Sequence, residues 1–260
     1  MKRHLATFAC LAATAGVASA DTITFDVADG YTLGSSLVAN PDWAGSGALY
    51  SITSLGGGNG AAQSSNTDQA NFANNRFTPS ASFLGLPDTS TANRTFDFAF
   101  DLRSDQDATT SDFDVAHRIR IGGTDGAPIV DFQIFDNGRL QYFSGGGYSN
   151  VVNVNNNTVA SISDFGSRFV PIAGTINVDA GTYSLSVDGV EQGTAIPLFS
   201  TPSTFGQVTL QWGTNSDDNA AGEYRQISLD NLFLEGSVIP EPAAVGAATL
   251  MGLLGLRRRR

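Results

Sequence analysis

Carboxylates are the commonest groups here that could do chemistry. The 260-residue chain holds 25 Asp and Glu but only two His and one Cys. Two carboxylates facing each other across a sugar, about 5 to 9 Å apart, can act as general acid and base. Asp97 and Asp101 sit four apart in the alternating stretch 94–103, a spacing that puts both on one side of a strand. Paired glutamates are missing. Before the tail the only Glu residues are Glu191, Glu223 and Glu235, each near a turn or a strand end. His117 is the only histidine after residue 20, which argues against a histidine metal cluster or a Ser-His-Asp triad. Cys10 is the only cysteine and lies in the first 20 residues, so the rest of the chain has no thiol and no disulfide.

Two binding chemistries fit the residue types better. Ca²⁺ takes six to eight oxygen ligands, which acidic loops supply. Asp105, Asp107, Asp112, Asp114, Asp125, Asp217 and Asp218 are the metal candidates, and Ca²⁺ is the only cofactor they suggest. No stretch matches the twelve-residue calcium loop, and each cluster also reads as a solvated acidic turn. Sugar rings stack on exposed aromatic rings while amides and carboxylates take their hydroxyls. Trp212, Trp43, Tyr142 and Tyr148, with Asn215, are the glycan-binding candidates. Trp212 ranks first because it ends a strand beside an acidic, Asn-containing loop. Trp43 also reads as a core plug.

These residues sit on short alternating runs. Phe96, Phe98, Phe100 and Leu102 share one parity and Thr95, Asp97, Asp101 and Arg103 the other, which predicts a strand with one packed face. Strands are expected at 115–121, 129–135, 140–143, 182–187, 207–212 and 224–234, with shorter ones at 169–172 and 175–178. Asn137-Gly138 and Asp188-Gly189 are hairpin signals, because both accept positive φ. Residues 54–71, rich in Gly and polar side chains, read as a long surface loop. On 224–234, Ile227, Leu229 and Asn231 are expected on one face, opposite Ser228, Asp230 and Leu232. Roughly a dozen such strands predict an all-β, two-sheet antiparallel β-sandwich over 21–236. That stretch carries eight Arg, no Lys and 24 carboxylates, a formal charge of −16. Such a surface repels nucleic acid.

The ends read as addresses. Lys2 and Arg3, an apolar run over 5–17 and Ala18-Ser19-Ala20 form a signal peptide over 1–20, to be removed by signal peptidase. Residues 237–260 contain Pro240, Glu241 and Pro242, an apolar run over 243–256, then Arg257, Arg258, Arg259 and Arg260. The apolar run is expected to form a transmembrane helix, marginal in length, with the arginines on the cytoplasmic side and a transient membrane contact. This tail resembles the PEP-CTERM sorting signal of bacterial envelope proteins. The resemblance implies an exosortase-type membrane enzyme as partner, cleavage near the tripeptide, and delivery to the cell surface or extracellular matrix of a Gram-negative bacterium.

The strand series resembles the concanavalin A-like lectin and glucanase jelly roll. The strand over 96–102, the hairpin over 129–142 and the closing 227–232 carry that likeness. The Glu-x-Asp-x-x-Glu strand of the glucanases is absent. Fold and address together imply a secreted, lectin-like, non-catalytic protein that binds extracellular polysaccharide. A purely structural matrix protein, or a polysaccharide hydrolase or lyase using Asp residues, are the alternatives. Intact mass of the exported protein should give a chain starting near Asp21 and ending near Pro240–Pro242. A delivered chain still carrying Arg257 to Arg260 contradicts processing of the tail.

Overall fold

The computed structural model describes residues 21–45, 50–64, 73–106, 115–124, 126–135, 137–152, 154, 168–212 and 226–238. Period-two alternation builds fifteen strands among them. In chain order these are β1 (Thr22–Ile23), β2 (Trp43–Gly45), β3 (Tyr50–Gly56), β4 (Asn59–Ser64), β5 (Ala73–Phe77), β6 (Arg94–Gln106), β7 (Val115–Gly122) and β8 (Pro128–Phe135). Then come β9 (Leu140–Phe143), β10 (Tyr148–Asn150), β11 (Val170–Asn177), β12 (Thr182–Val187), β13 (Val190–Pro197), β14 (Gln207–Trp212) and β15 (Gln226–Val238). An eight-stranded sheet runs β13-β12-β11-β6-β15-β4-β3, with β1 also paired to β15. A seven-stranded sheet runs β10-β9-β8-β7-β14-β5-β2. Every pairing between these strands is antiparallel, in a jelly-roll-like order that bears out the sandwich.

The core lies between the sheets. Phe96, Phe98, Phe100 and Leu102 of β6 and Val130, Phe132 and Ile134 of β8 are all buried, as the alternation predicts. The Phe132 ring meets Phe100 edge-on at 5.5 Å and Phe98 at 6.2 Å, so one ring locks the two sheets together. Phe96 stacks on Phe205 at 3.9 Å. The hairpin signals hold. Gly138 adopts φ +80° in the turn between β8 and β9, and Asp188 and Gly189 both adopt positive φ between β12 and β13.

Four expectations are corrected. Residues 54–64, expected to start a loop, instead extend β3 to Gly56 and form β4 of the β3–β4 hairpin. The composition hid this because β4 packs through small residues. Ala61 and Ala62 are fully buried, and a Cβ at Gly60 would lie 2.3 Å from the Phe25 carbonyl oxygen. Strand β11 is continuous through Gly174, where a Cβ would lie 2.1 Å from the Ser184 carbonyl oxygen. A β-bulge in β15 between Asp230 and Phe233 changes the parity. Asn231, at φ +50°, is exposed, and Leu232 and Leu234 join Ile227 and Leu229 in the core. The transmembrane helix is also corrected, because among the described residues no helix is long and apolar enough to cross a membrane. The described helical elements are two three-residue 3-10 turns, Val27–Asp29 and Leu37–Ala39. The apolar run and the sorting-signal residues lie outside the described residues, as do residues 1–20.

Replacing Phe132 with Ala should lower the unfolding free energy by about 3–5 kcal/mol, the usual cost of deleting a buried ring. Urea denaturation checks this. A loss under about 1 kcal/mol would mean that the ring does not couple the sheets.

Candidate functional site

In the middle of β7 and β8 the side chains turned away from the core, Arg118, Arg120, Asp131 and Gln133, are polar, and the register aligns them. Row one runs Arg76 (β5), Thr209 (β14), Arg120 (β7) and Asp131 (β8). Row two, two residues along each strand, runs Asn74, Gln211, Arg118, Gln133, Gln141 and Asn150, from β5 across to β10. Neighbouring strands lie about 4.8 Å apart, so row two spans roughly 24 Å. That is several times the width of one sugar ring.

Asp131 is the hub. Its side chain is fully buried, while those of Arg118 and Arg120 keep 23% and 24% exposure. Its Oδ2 accepts from Arg120 Nε at 3.0 Å and from the Tyr148 hydroxyl at 2.8 Å, with Arg118 Nη1 at 3.8 Å. Its Oδ1 is buried and accepts no hydrogen bond. Burial pushes the Asp131 carboxyl above its ordinary range, against the pull of Arg120, Tyr148 and Arg118. The Tyr148 phenol is pushed up to about 12, by burial first and then by Asp131. In row two, Gln141 Nε2 donates to Asn150 Oδ1 at 2.8 Å.

Aromatic rings close one end of the face. Phe143 pairs in register with Tyr148, and their rings meet edge-on at 5.8 Å. Phe199 packs on Phe143 at 4.4 Å and keeps 40% exposure. At the hairpin turn, the Arg139 guanidinium lies 4.3 Å over the Phe135 ring. The arrangement offers amide and guanidinium donors, amide and carboxylate acceptors, and a partly exposed ring. Such a set can hold a hydroxyl-rich ligand flat on the sheet.

The structure brings together only part of the sequence-derived set. Of the glycan candidates, Tyr148 is on this face. Tyr142 is buried on the core side, its hydroxyl donating to the Gln192 carbonyl oxygen at 3.4 Å. Trp43 is also core. Its Nε1 donates to the Tyr31 hydroxyl at 3.0 Å, and its ring lies between Phe25 and Phe77. Trp212 closes β14 opposite His117 and Ala73. Asn215 lies outside the described residues. His117 is buried between the sheets, its Nδ1 3.4 Å from the Tyr50 hydroxyl. Sequence reading passed over Arg118, Arg120, Asp131 and Gln133 because each looked like the solvated half of an alternating strand. The missed signal was two arginines two apart in a chain so poor in basic residues.

The outer face of the eight-stranded sheet is acidic, with Asp97, Asp101, Asp105, Asp230 and Glu235 on one side of β6 and β15. Asp97 accepts from the Thr175 hydroxyl at 2.6 Å and Asp101 from Asn231 Nδ2 at 2.7 Å. About 13 Å of strand separates their Cα atoms, too far for facing carboxylates. Both Asp105 oxygens are occupied. Arg103 Nε and Nη2 hold Oδ1 at 2.7 and 2.6 Å, and the Ser228 hydroxyl donates to Oδ2. Among the described residues no group of three or more His, Cys, Asp or Glu could hold a metal ion. Asp107, Asp112, Asp114, Asp125, Asp217 and Asp218 lie outside the described residues.

No protein-family model matches the chain, and no curated protein matches it. Among solved structures a sialidase is similar at a TM-score of 0.53 and 14% identity, over 84% of this chain and 18% of the sialidase. The chain thus spans less than a fifth of that protein. A botulinum neurotoxin type C structure, described as entering cells through two ganglioside molecules, matches at 0.46 and 9% identity, over 74% of this chain and 42% of its own. An alginate lyase holding an alginate tetrasaccharide matches at 0.46 and 12% identity, over 85% and 98% respectively. The sialidase likeness is one of fold: this chain is an all-β, two-sheet antiparallel sandwich of a kind that carbohydrate-active proteins also use.

The acidic face makes its own prediction. Asp230 is pushed up to about 6, by burial first and then by Asp26 and Asp101, against the Asn231 amide and Arg103. The folded protein therefore holds this proton more tightly than the unfolded chain, whose carboxyl titrates near ~4. Its stabilising contribution is present below about pH 4 and is lost as pH rises through about 6. Asp230→Asn should raise stability at pH 7 by on the order of 1 kcal/mol, discounted for partial exposure, and flatten the slope between pH 4 and 6. Urea titrations at pH 4.5 and 7 check this; an unchanged slope would clear Asp230.

Proposed function

We propose that this protein is a non-catalytic glycan-binding protein that holds a sugar chain along the outer face of the seven-stranded sheet. The observation that carries the reading is the polar row Asn74, Gln211, Arg118, Gln133, Gln141 and Asn150, continuous over six strands and ending near a half-exposed phenylalanine. A merely solvated face needs no such continuity and no buried acceptor left open at Asp131. Fold alone would not suffice, because sandwiches host many functions.

The non-catalytic half of the reading rests on protonation and spacing. Tyr148 keeps its proton at neutral pH and donates it to Asp131, which leaves it a poor general base. Asp131 is the only carboxylate among the described strand residues of this face, so no acid-base pair stands across a bound sugar.

Address follows from the ends of the chain. The reading takes 1–20 as a signal peptide for signal peptidase and 237–260 as a PEP-CTERM-like signal for an exosortase-type enzyme. Delivery is then to the cell surface or extracellular matrix of a Gram-negative bacterium.

A glycan array of envelope and matrix polysaccharides, run beside a reducing-sugar release assay, tests the reading. Binding without product release is expected. Phe199→Ala should weaken binding about five- to tenfold, the worth of ~1–1.5 kcal/mol of ring stacking. Sugar release lost in Tyr148→Phe would replace this reading with an enzymatic one. No binding to any polysaccharide would leave a structural matrix protein.

A further inference from the structure

Among the described strand residues, the two outer faces of the sandwich carry opposite charge. Residues 21–236 hold eight arginines against 24 carboxylates. Four of those arginines are on or beside the outer face of the seven-stranded sheet: Arg76, Arg118 and Arg120 in the rows, and Arg139 over Phe135. The outer face of the eight-stranded sheet shows Asp97, Asp101, Asp105, Asp230 and Glu235 around Arg103. A neutral sugar gains little from a basic face, and solubility at a formal charge of −16 does not require one. Basic groups gathered on one face of an acidic protein mark the place where an anion is met.

The local geometry says how. Arg118 and Arg120 are two apart on β7, so their guanidinium groups leave the same side of the strand about 7 Å apart at the backbone. Arg120 engages Asp131 through Nε, the side of the fork nearest the backbone, and its side chain keeps 24% exposure. An ordinary structural pair would set the two ends of the guanidinium against both carboxylate oxygens. Here Oδ2 takes Arg120 Nε and the Tyr148 hydroxyl, and the buried Oδ1 takes nothing. A buried acceptor without a donor is rare, because desolvation without a hydrogen bond is unfavourable.

We propose, resting on the glycan-binding reading above, that the ligand is an acidic glycan of the uronate class. A sugar carboxylate seats on the exposed parts of Arg118 and Arg120, which the buried Asp131 holds in place. One carboxylate facing two guanidinium groups leaves the cluster net positive, which accounts for the ligand's charge. Gln141 and Gln211, both partly exposed, lie in the same row and take further hydroxyls. A carboxylate is favoured over a sulfate ester because its planar oxygen pair matches the guanidinium fork.

The test titrates the full exported protein with four probes by calorimetry: an oligogalacturonate, its methyl ester, a sulfated galactan and a neutral cello-oligosaccharide. The oligogalacturonate should bind, weaken as NaCl rises from 50 to 300 mM, and lose at least tenfold in affinity as its methyl ester. Arg118→Gln should lose about tenfold for the uronate. Replacing Arg120 alone would leave Asp131 unpaired inside the protein and threaten folding, so the companion variant is the double change Arg120→Gln, Asp131→Asn. It should lose uronate binding with its circular dichroism spectrum unchanged. Equal affinity for the methyl ester or for the neutral probe would overturn the acidic class while leaving glycan binding intact. Tighter binding of the sulfated galactan would overturn the carboxylate clamp. Failure of all four probes would overturn this proposal, and the array experiment would then show whether glycan binding fails with it.

Discussion

The packing of Phe132 against Phe98 and Phe100 sets the frame on which the rest depends. Those rings belong to strands in different sheets, and their burial fixes the parity of both strands at once. A strand's side chains alternate with period two, so committing Phe132 to the core commits Asp131 and Gln133 to the opposite side. A slip of one residue would bury Gln133 and expose Phe132, and the energy of one aromatic side chain is enough to forbid it. The polar face is thus held in register by the core beneath it.

On that face the organising group is a single carboxylate. Asp131 is fully buried, yet one oxygen carries all its donors. Removing a charge from water is unfavourable, and two neighbouring guanidinium groups with a phenol offset it. The result is a set of donors with fixed positions rather than flexible surface arginines. Preorganisation of this kind reduces what a ligand must order on binding.

The opposite sheet shows the same physics with the other sign. Its carboxylates are held by Thr175, Asn231, Arg103 and Ser228, and each bond answers a local need. The bulge at Asn231 both shifts the parity of β15 and places the amide that meets Asp101. Burial, reinforced by the neighbouring Asp26 and Asp101, raises the protonation point of Asp230. These contacts describe a satisfied acidic surface, in contrast to the open acceptor on the other side.

Much of the fold was legible in the sequence because alternation is local. Runs such as 96–102, 140–143 and 182–187 carry their own period, and Asn137-Gly138 and Asp188-Gly189 carry their own turn chemistry. The charge excess was equally plain. What sequence could not decide was anything that depends on a partner strand. The β4 strand was invisible because Gly60 is set by how closely the Phe25 carbonyl approaches, and Ala61 and Ala62 are buried without the bulk that marks a core strand. Asn231 looked like one more alternating residue until its pairing with β6 showed a bulge. Trp43 and Tyr142, which looked like candidate sugar platforms, were drawn into the core by rings and carbonyls far away in the chain. Arg118, Arg120, Asp131 and Tyr148 come from three strands and meet only through strand register. Sequence determines which way each strand faces; only the tertiary structure decides which faces meet, because hydrogen-bonded register acts between segments that no local pattern connects.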